Sequence, residues 1–431
     1  MRIGFVLLAL ASACWAADPT GDWIAEVSGT GDPQFARVSL RMDGGKVTGT
    51  WGLATVEGSL DGAKLALSLL RGGEPGGSLS GMATADGWAG DGEMSGAGGR
   101  GGGGGRGRAM QHVAWKLSKA PKPAGGPKTV DFEPKSFSGY YSAAVPPVLH
   151  VFAGDTIRTR TYDGGGRDKD VRSPGANPET GPFYIEGALP GDTLAVKLKK
   201  VRVNRDSARQ GNRINGKTVT PAYVAAAKYA DTFDSEWKLD LAKGTAMLAH
   251  PTERMKNFSV PILPMIGCLA TAPAGNLAYR ATDLGPYGGN MDYNQMGEGA
   301  TLYLPVFQPG ALFFLGDAHA AMGDGELTGS ALETSVDVEF TVEVQPGNAT
   351  VNPRLENAEY LMSMGIAGSV PESIQVATTQ LVTWLNTDYK LDDNEVAVLL
   401  GAVLKYDITE MVDSSFNVVA KVPKSALAGL K

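Results

Sequence analysis

The sequence predicts a mostly β protein in two parts: a small N-terminal antiparallel β barrel or sheet, and a larger β-rich body that carries a helical pair late in the chain. Three observations predict it. The 431 residues include 58 glycines and 25 prolines, a composition that favours many turns and few long helices. Polar and apolar residues alternate through most of the chain, punctuated by Asp-Gly, Gly-Gly and Pro-Gly pairs, as strands joined by tight turns do. Helical spacing of apolar residues enters only after Pro371. The length allows two or three domains and large cores.

Residues 1–16 read as a secretory signal peptide. Arg2 supplies a short basic region, 3–13 is an apolar run, and cleavage fits after Ala16. Lipidation at Cys14 is the weaker alternative. The run is too short to span a bilayer, and no later segment offers about 18 uninterrupted apolar residues. The mature protein is therefore expected to be exported, periplasmic or secreted, with no membrane span. If Cys14 leaves with the signal, Cys268 is the single remaining cysteine. No disulfide can then form within the chain, and a small buried role is its plainer reading.

Residues 17–118 form the small antiparallel β domain. "FARVSLRMDGGKVTGTWG", "VEGSLDGAKLALSLLR" and "GGSLSGMATADGWAGDGEM" alternate across Asp-Gly and Gly-Gly turns. The glycine-rich stretch 96–110 has nothing apolar to bury and reads as a loop. "QHVAWKLSKA" then reads as a closing strand. The arginines of the loop do not make a nucleic-acid surface in a chain of net charge −7. Residues 119–130, with "PKPAGGPKT", are the linker. In 131–431, "HVFAGDTIRTRTYD", "DTLAVKLKKVRVNR" and "SALETSVDVEFTVEVQPG" read as strands, the last with Val336, Val338, Phe340 and Val342 on one face. Gln308-Pro309-Gly310 breaks "ATLYLPVFQPGALFFLGD" into two strands. Ile374, Ala377, Leu381, Trp384 and Leu385 fall at helical spacing, Asp392 and Asp393 open a second helix, and "FNVVAKVPK" closes as a strand.

Chemistry concentrates in "LGDAHAAMGDGELTGSALE", residues 315–333. One of only four histidines, His319, stands there among Asp317, Asp324, Glu326 and Glu333. On a strand Asp317 and His319 share a face. Upstream, "GPYGGNMDYNQMGEG" places Asn290 and Asp292 two apart. One imidazole among carboxylates suits a divalent cation: zinc accepts nitrogen and oxygen donors, calcium and magnesium take oxygens. Asp-Gly turns with no ion at all are the alternative.

The stretch "GGNMDYNQMGEGATLYLPVFQPGALFFLGDAHAAMGDGELTGSALE", with "GPFYIEGALPGDTLAVKLKKVRV", "PILPMIGCLATAPAG" and the C-terminal "LVTWLNTDYKLDDNEVAVLLGAVLKYDITEMVDSSFNVVAKVPKSAL", resembles the acetamidase/formamidase family over about residues 135–431. An insertion lies around "NRDSARQGNRINGKTVTPAYVAAAKYADTF". The resemblance implies a β-rich fold that hydrolyses short linear amides, not peptide bonds, to a carboxylate and ammonia. It also implies a divalent metal, zinc first and calcium second. Carried over by position, Asn290, Asp292, Asp317, His319, Asp324 and Glu326 fall in the signature and Glu333 ends it; "TYDGGG" adds Asp163, and Glu186 also matches.

Amide hydrolysis needs a polarised carbonyl and an activated water, which a metal and a base supply together. The expected ligands are His319, Asp317 and Asp324, with Asp292 or Asp163. Glu326 or Glu333 is the expected general base, Asn290 the oxyanion partner. Met291, Phe314 and Met322 are expected to line a small acyl pocket. The expected partner is a small-molecule amide; homo-oligomerisation is left open. Two rival readings belong to other classes. One is an amidase with Cys268 as nucleophile, and the other is a non-catalytic exported binding protein holding structural calcium.

Overall fold

The structure, a computed structural model, describes residues 18–29, 31–95, 109–170, 175 and 177–430. The expected signal peptide, 1–16, and nearly all of the glycine-rich loop, 96–108, lie outside the described residues. The chain divides into two compact units, Met1–Lys122 and Pro123–Lys431.

The first unit is a closed antiparallel barrel of eight strands: β1 (Gly21–Ser28), β2 (Gln34–Asp43), β3 (Lys46–Trp51), β4 (Ala54–Asp61), β5 (Lys64–Arg71), β6 (Glu74–Thr84), β7 (Gly87–Ser95) and β8 (Met110–Lys119). Each strand pairs with the next, and β8 returns to β1 in the register Trp23↔Lys119. The expected closing strand therefore removes both sheet edges. Alternation aims Leu65, Leu67 and Leu69 inward together with four tryptophans, Trp23, Trp51, Trp88 and Trp115.

The second unit is built on two larger sheets. The nine-stranded sheet runs in the order Lys405–Glu410, Phe416–Pro423, Tyr360–Ala367, Arg354–Glu356, Thr301–Pro305, Thr193–Val203, Val336–Gln345, Thr156–Thr161 and Thr129–Asp131. The six-stranded sheet runs Leu149–Val151, Thr180–Ile185, Phe313–His319, Met265–Ala270, Gly288–Asn290 and Leu284–Gly285. One core joins them, with Phe183, Ile266 and Leu315 from the smaller sheet against Leu194, Val338 and Phe340 from the larger. The Gln308-Pro309-Gly310 break thus carries the chain from one sheet into the other. The insertion supplies the first strand, Ser207–Arg209, of a third, four-stranded sheet whose other strands, Glu236–Asp240, Thr245–Leu248 and Ser259–Pro261, follow it in the chain. It also holds a short helix, α1 (Pro221–Ala226), capped by Thr220.

The helical pair is α2 (Val370–Asp388) and α3 (Asp393–Val403). α2 buries Ala377, Leu381, Trp384 and Leu385 against Leu361, Ala420 and Val422 of the larger sheet. α3 starts with a capping box. The Asp392 carboxylate accepts the Glu395 backbone N–H at 2.8 Å, and the Glu395 carboxylate accepts the Asp392 N–H at 2.8 Å. Asp392→Ala is expected to lower stability by about 1 kcal/mol, read by chemical denaturation of the whole chain.

Candidate metal centre

The site begins at the strand Phe313–His319. Leu315 and Ala318 both pack into the main core, although residues three apart on a regular strand face opposite ways. Asp317, at φ 56°, breaks the alternation. Its left-handed backbone sends its own side chain and that of His319 into one buried chamber, where His319 Nε2 lies 3.2 Å from Asp317 Oδ1. Among the described residues, seven non-glycine residues have positive φ. Four of them, Asn177, Asp292, Asp317 and Glu326, line this chamber or its edge. Backbone strain of this kind collects at functional sites.

Three groups of donors meet here: Asp292, Asp317 and His319; His319, Glu326 and Glu333; and Asp292, Glu410 and Asp413. In each, the candidate ligand atoms all lie within 4.8 Å of one another. His319 Nε2 is also 3.2 Å from Glu333 Oε1, and Nδ1 is 3.9 Å from Asp292 Oδ1. None of these contacts has hydrogen-bond geometry. Both His319 nitrogens, both Asp292 oxygens, Asp317 Oδ1 and Glu410 Oε2 are buried without a hydrogen-bond partner. Buried polar atoms are normally satisfied. A convergent set of unsatisfied nitrogen and oxygen donors is what a divalent cation requires, so these residues fit a metal.

The electrostatics agree. Burial, then the nearby Glu326 and Asp317 carboxylates, push Asp292 well above the ordinary carboxylate range. Burial raises Glu326 to about 9 against the pull of His319, with Glu333 and Asp317 adding repulsion. Burial likewise lifts Glu410 to about 7 and Asp413 to about 6. His319 moves up despite its burial because Glu333 and Asp317 face it. Asp317 moves down despite its own burial because His319 faces it. Packed acids without a counter-charge repel, and a cation removes that repulsion.

Glycine makes the chamber possible. A Cβ on Gly267 would lie 2.3 Å from Asp292 Oδ1, and one on Gly164 would lie 2.6 Å from Asp317 Oδ1. The two expected bases differ. Glu333 is pinned, Oε2 accepting the Gly164 N–H at 3.0 Å and Oε1 the Ala331 N–H at 3.1 Å. The Glu326 carboxylate is buried and has no hydrogen-bond partner among the described residues.

Several expectations need correction. Asp163 is spent on Arg205 and on the Arg167 backbone N–H at 2.8 Å, so it joins no donor group. Asp324 is exposed on its turn and accepts from Asn294 at 2.9 Å. Met291 packs into the main core, Phe314 into a separate cluster with Tyr141, and Met322 is half-buried on a loop, so the three do not form one pocket. Asn290 is held on both sides. Its Oδ1 accepts Asn177 Nδ2 at 3.1 Å and Cys268 Sγ at 2.8 Å, and its Nδ2 donates to Asp413. Burial, then Glu179 and Asp317, push the Cys268 thiol well up, which keeps it protonated and argues against a thiolate nucleophile.

The structure adds residues that sequence reading missed. Glu410 and Asp413 arrive from the strand Lys405–Glu410 and its turn. Glu179 is fully buried, its oxygens unpartnered, in space left by Gly316. The insertion reaches the site too: Lys217 Nζ donates to the carbonyls of Val412 at 2.8 Å and Asp413 at 2.6 Å, and Asn215 N donates to Leu327 O at 2.9 Å. The insertion thus bridges the loops that carry Glu326 and Asp413.

The Acetamidase/Formamidase family profile matches residues 285–363, which hold Asp292, Asp317, His319, Glu326 and Glu333. The large unit is acetamidase/formamidase-like. An acetamidase structure from Yersinia enterocolitica is 28% identical, with a TM-score of 0.60 over 71% of this chain and 94% of that one. An acetamidase/formamidase assigned from sequence in Thermoanaerobacter tengcongensis is 27% identical, with a TM-score of 0.60 over 71% of this chain and 99% of that one. A formamidase-type protein of Schizosaccharomyces pombe is 26% identical over 35% of this chain and 47% of its own length, so this chain spans about half of that relative. In the acetamidase/formamidase-like unit, Asn177, Glu179, Glu410 and Asp413 lie outside the matched segment, and only folding brings them to it.

Proposed function

We propose that the chain is a metal-dependent amidohydrolase that converts short linear amides of the formamide and acetamide type to a carboxylate and ammonia. The family resemblance supports amide hydrolysis. The observation that carries metal dependence is the set of buried, unpartnered donor atoms on Asp292, Asp317, His319 and Glu410. Asp292, Asp317 and His319 would hold the cation. When bound, it polarises the amide carbonyl and makes water a better nucleophile near neutral pH. The nitrogen donor favours zinc, and the all-oxygen group Asp292, Glu410 and Asp413 suits calcium.

The chain's own groups divide the remaining work. Glu326, whose ionised form a bound cation would favour against the burial that raises it, would take the proton from the attacking water and return it to the departing amine. Glu333, fixed by two backbone N–H groups, keeps its carboxylate 3.2 Å from His319 Nε2, where it would share a cation with the ring. Asn290, locked between Asn177, Cys268 and Asp413, positions the chamber wall rather than contributing a free donor. Export, with removal of residues 1–16, belongs to the same reading.

The test uses mature protein purified without a metal-chelating tag. Elemental analysis is expected to give about one or two divalent cations per chain, and ammonia release from formamide or acetamide is expected to fall on chelation and recover on adding the metal back. Metal without hydrolysis would move the calcium-binding reading forward, and hydrolysis that persists without metal would sink the mechanism.

A further inference from the structure

The N-terminal barrel carries a cavity at one end of its described strands. At the opposite end Trp23 and Trp88 belong to the core, and Lys119 Nζ sits 4.0 Å over the Trp23 ring. The cavity, of about 470 Å³, lies between the strand ends β1–β2, β3–β4, β5–β6 and β7. This is within the range of small-molecule sites, and an eight-stranded barrel is just wide enough to hold one small ligand.

The walls of the cavity are apolar and continuous with the barrel core: Val27, Ala36, Trp51 and Met94 belong to that core or pack against it. Leu53 stands at the rim, 102% exposed, an apolar side chain that no described residue covers. The lining contains one cation, Arg71, and no carboxylate. Among the described residues Arg71 has no ion-pair partner. Trp23 and Trp115 donate their indole N–H groups to the Pro19 and Asp91 carbonyls. Trp51, which lines the cavity, has no such acceptor among the described residues. Among the described residues, the cavity therefore offers an apolar wall, an indole donor without an acceptor and a guanidinium without an ion-pair partner.

We propose that this mouth binds a small carboxylate with an apolar alkyl or aryl body, its head on Arg71 and its body against Trp51 and Leu53. Charge-assisted hydrogen bonds from a guanidinium select a carboxylate over a neutral head, and the apolar wall selects the body by area buried. The proposal is independent of the amidase reading, since every residue it uses lies in the first unit.

Decanoate is the probe, titrated calorimetrically into the whole mature chain at low ionic strength, with decan-1-ol as the neutral control. Decanoate is expected to bind at one site and to shift the Trp51 indole N–H resonance, assigned by its loss in Trp51→Phe. Arg71→Gln and Leu53→Glu alter exposed side chains and leave the fold intact. Each is expected to weaken decanoate about tenfold, and decan-1-ol is expected to bind about tenfold more weakly than decanoate. No decanoate binding at millimolar concentration, equal binding of the alcohol, or unchanged affinity in both variants would each overturn the proposal.

Discussion

Asp292→Asn is expected to lower amide hydrolysis by about two to four orders of magnitude and to strip cation from the chain, yet to raise the melting temperature of chelator-treated protein. The two effects have one cause. The Asp292 carboxylate is fully buried, neither oxygen has a hydrogen-bond partner, and Glu326, Asp317 and Glu410 all disfavour its charge. Without a cation this is a cost. A buried polar group left unsatisfied destabilises by about 1–3 kcal/mol, more when it is charged. The neutral amide keeps the shape, removes the repulsion and can donate to a neighbouring carboxylate. Calorimetry with and without chelator, beside the ammonia assay and elemental analysis, checks all three. A chelated variant that melts below the chelated parent would show that Asp292 has a partner the geometry does not reveal, and retained hydrolysis would remove it from the ligand set.

Gly267→Ala is expected to destabilise the chain by about 1–3 kcal/mol and to lose cation binding as well. The added methyl would lie 2.3 Å from Asp292 Oδ1, 3.0 Å from the Asp317 carbonyl and 3.2 Å from Asp317 Oδ2. Something must move, and the atoms in the way are the proposed ligands. Gly401→Ala is the control. Its Cβ would meet nothing within 4 Å in α3, and alanine is the better helix former. Equilibrium denaturation and metal content of the two variants separate a general intolerance of extra volume from a blocked chamber.

The legible parts of the fold were those in which local pattern and tertiary role coincide. The Asp-Gly and Gly-Gly turns marked the barrel hairpins, and "QHVAWKLSKA" closed the barrel because Val113, Trp115 and Leu117 alternate inward. The spacing of Ala377, Leu381, Trp384 and Leu385 marked α2 for the same reason. The sheet change at Gln308-Pro309-Gly310 was not legible, because a turn residue does not say which sheet receives the next strand. In the site, Asp292, Asp317, His319, Glu326 and Glu333 stood out by their clustering and do converge. Asp324 stood out equally and faces solvent, since spacing along a turn does not fix which carboxylate points inward. Asp163 could not be separated from a ligand without seeing Arg205. Glu179, Glu410 and Asp413 carry no local signal at all. Each is an ordinary acid in its own stretch of sequence, brought in only by sheet pairing.

That pairing decides when the site can exist. Asp292 meets Glu410 and Asp413 from more than a hundred residues along the chain, and the strand Lys405–Glu410 joins the sheet edge by pairing with Phe416–Pro423. Contacts of such long sequence separation form late, because loop closure must precede the interactions that reward it. The donor set is therefore expected to come together late in folding, after the final hairpin has joined the sheet edge. Cation uptake by a refolding chain would then follow the recovery of sheet structure rather than nucleate it, and would serve as a clock for the completion of the second unit.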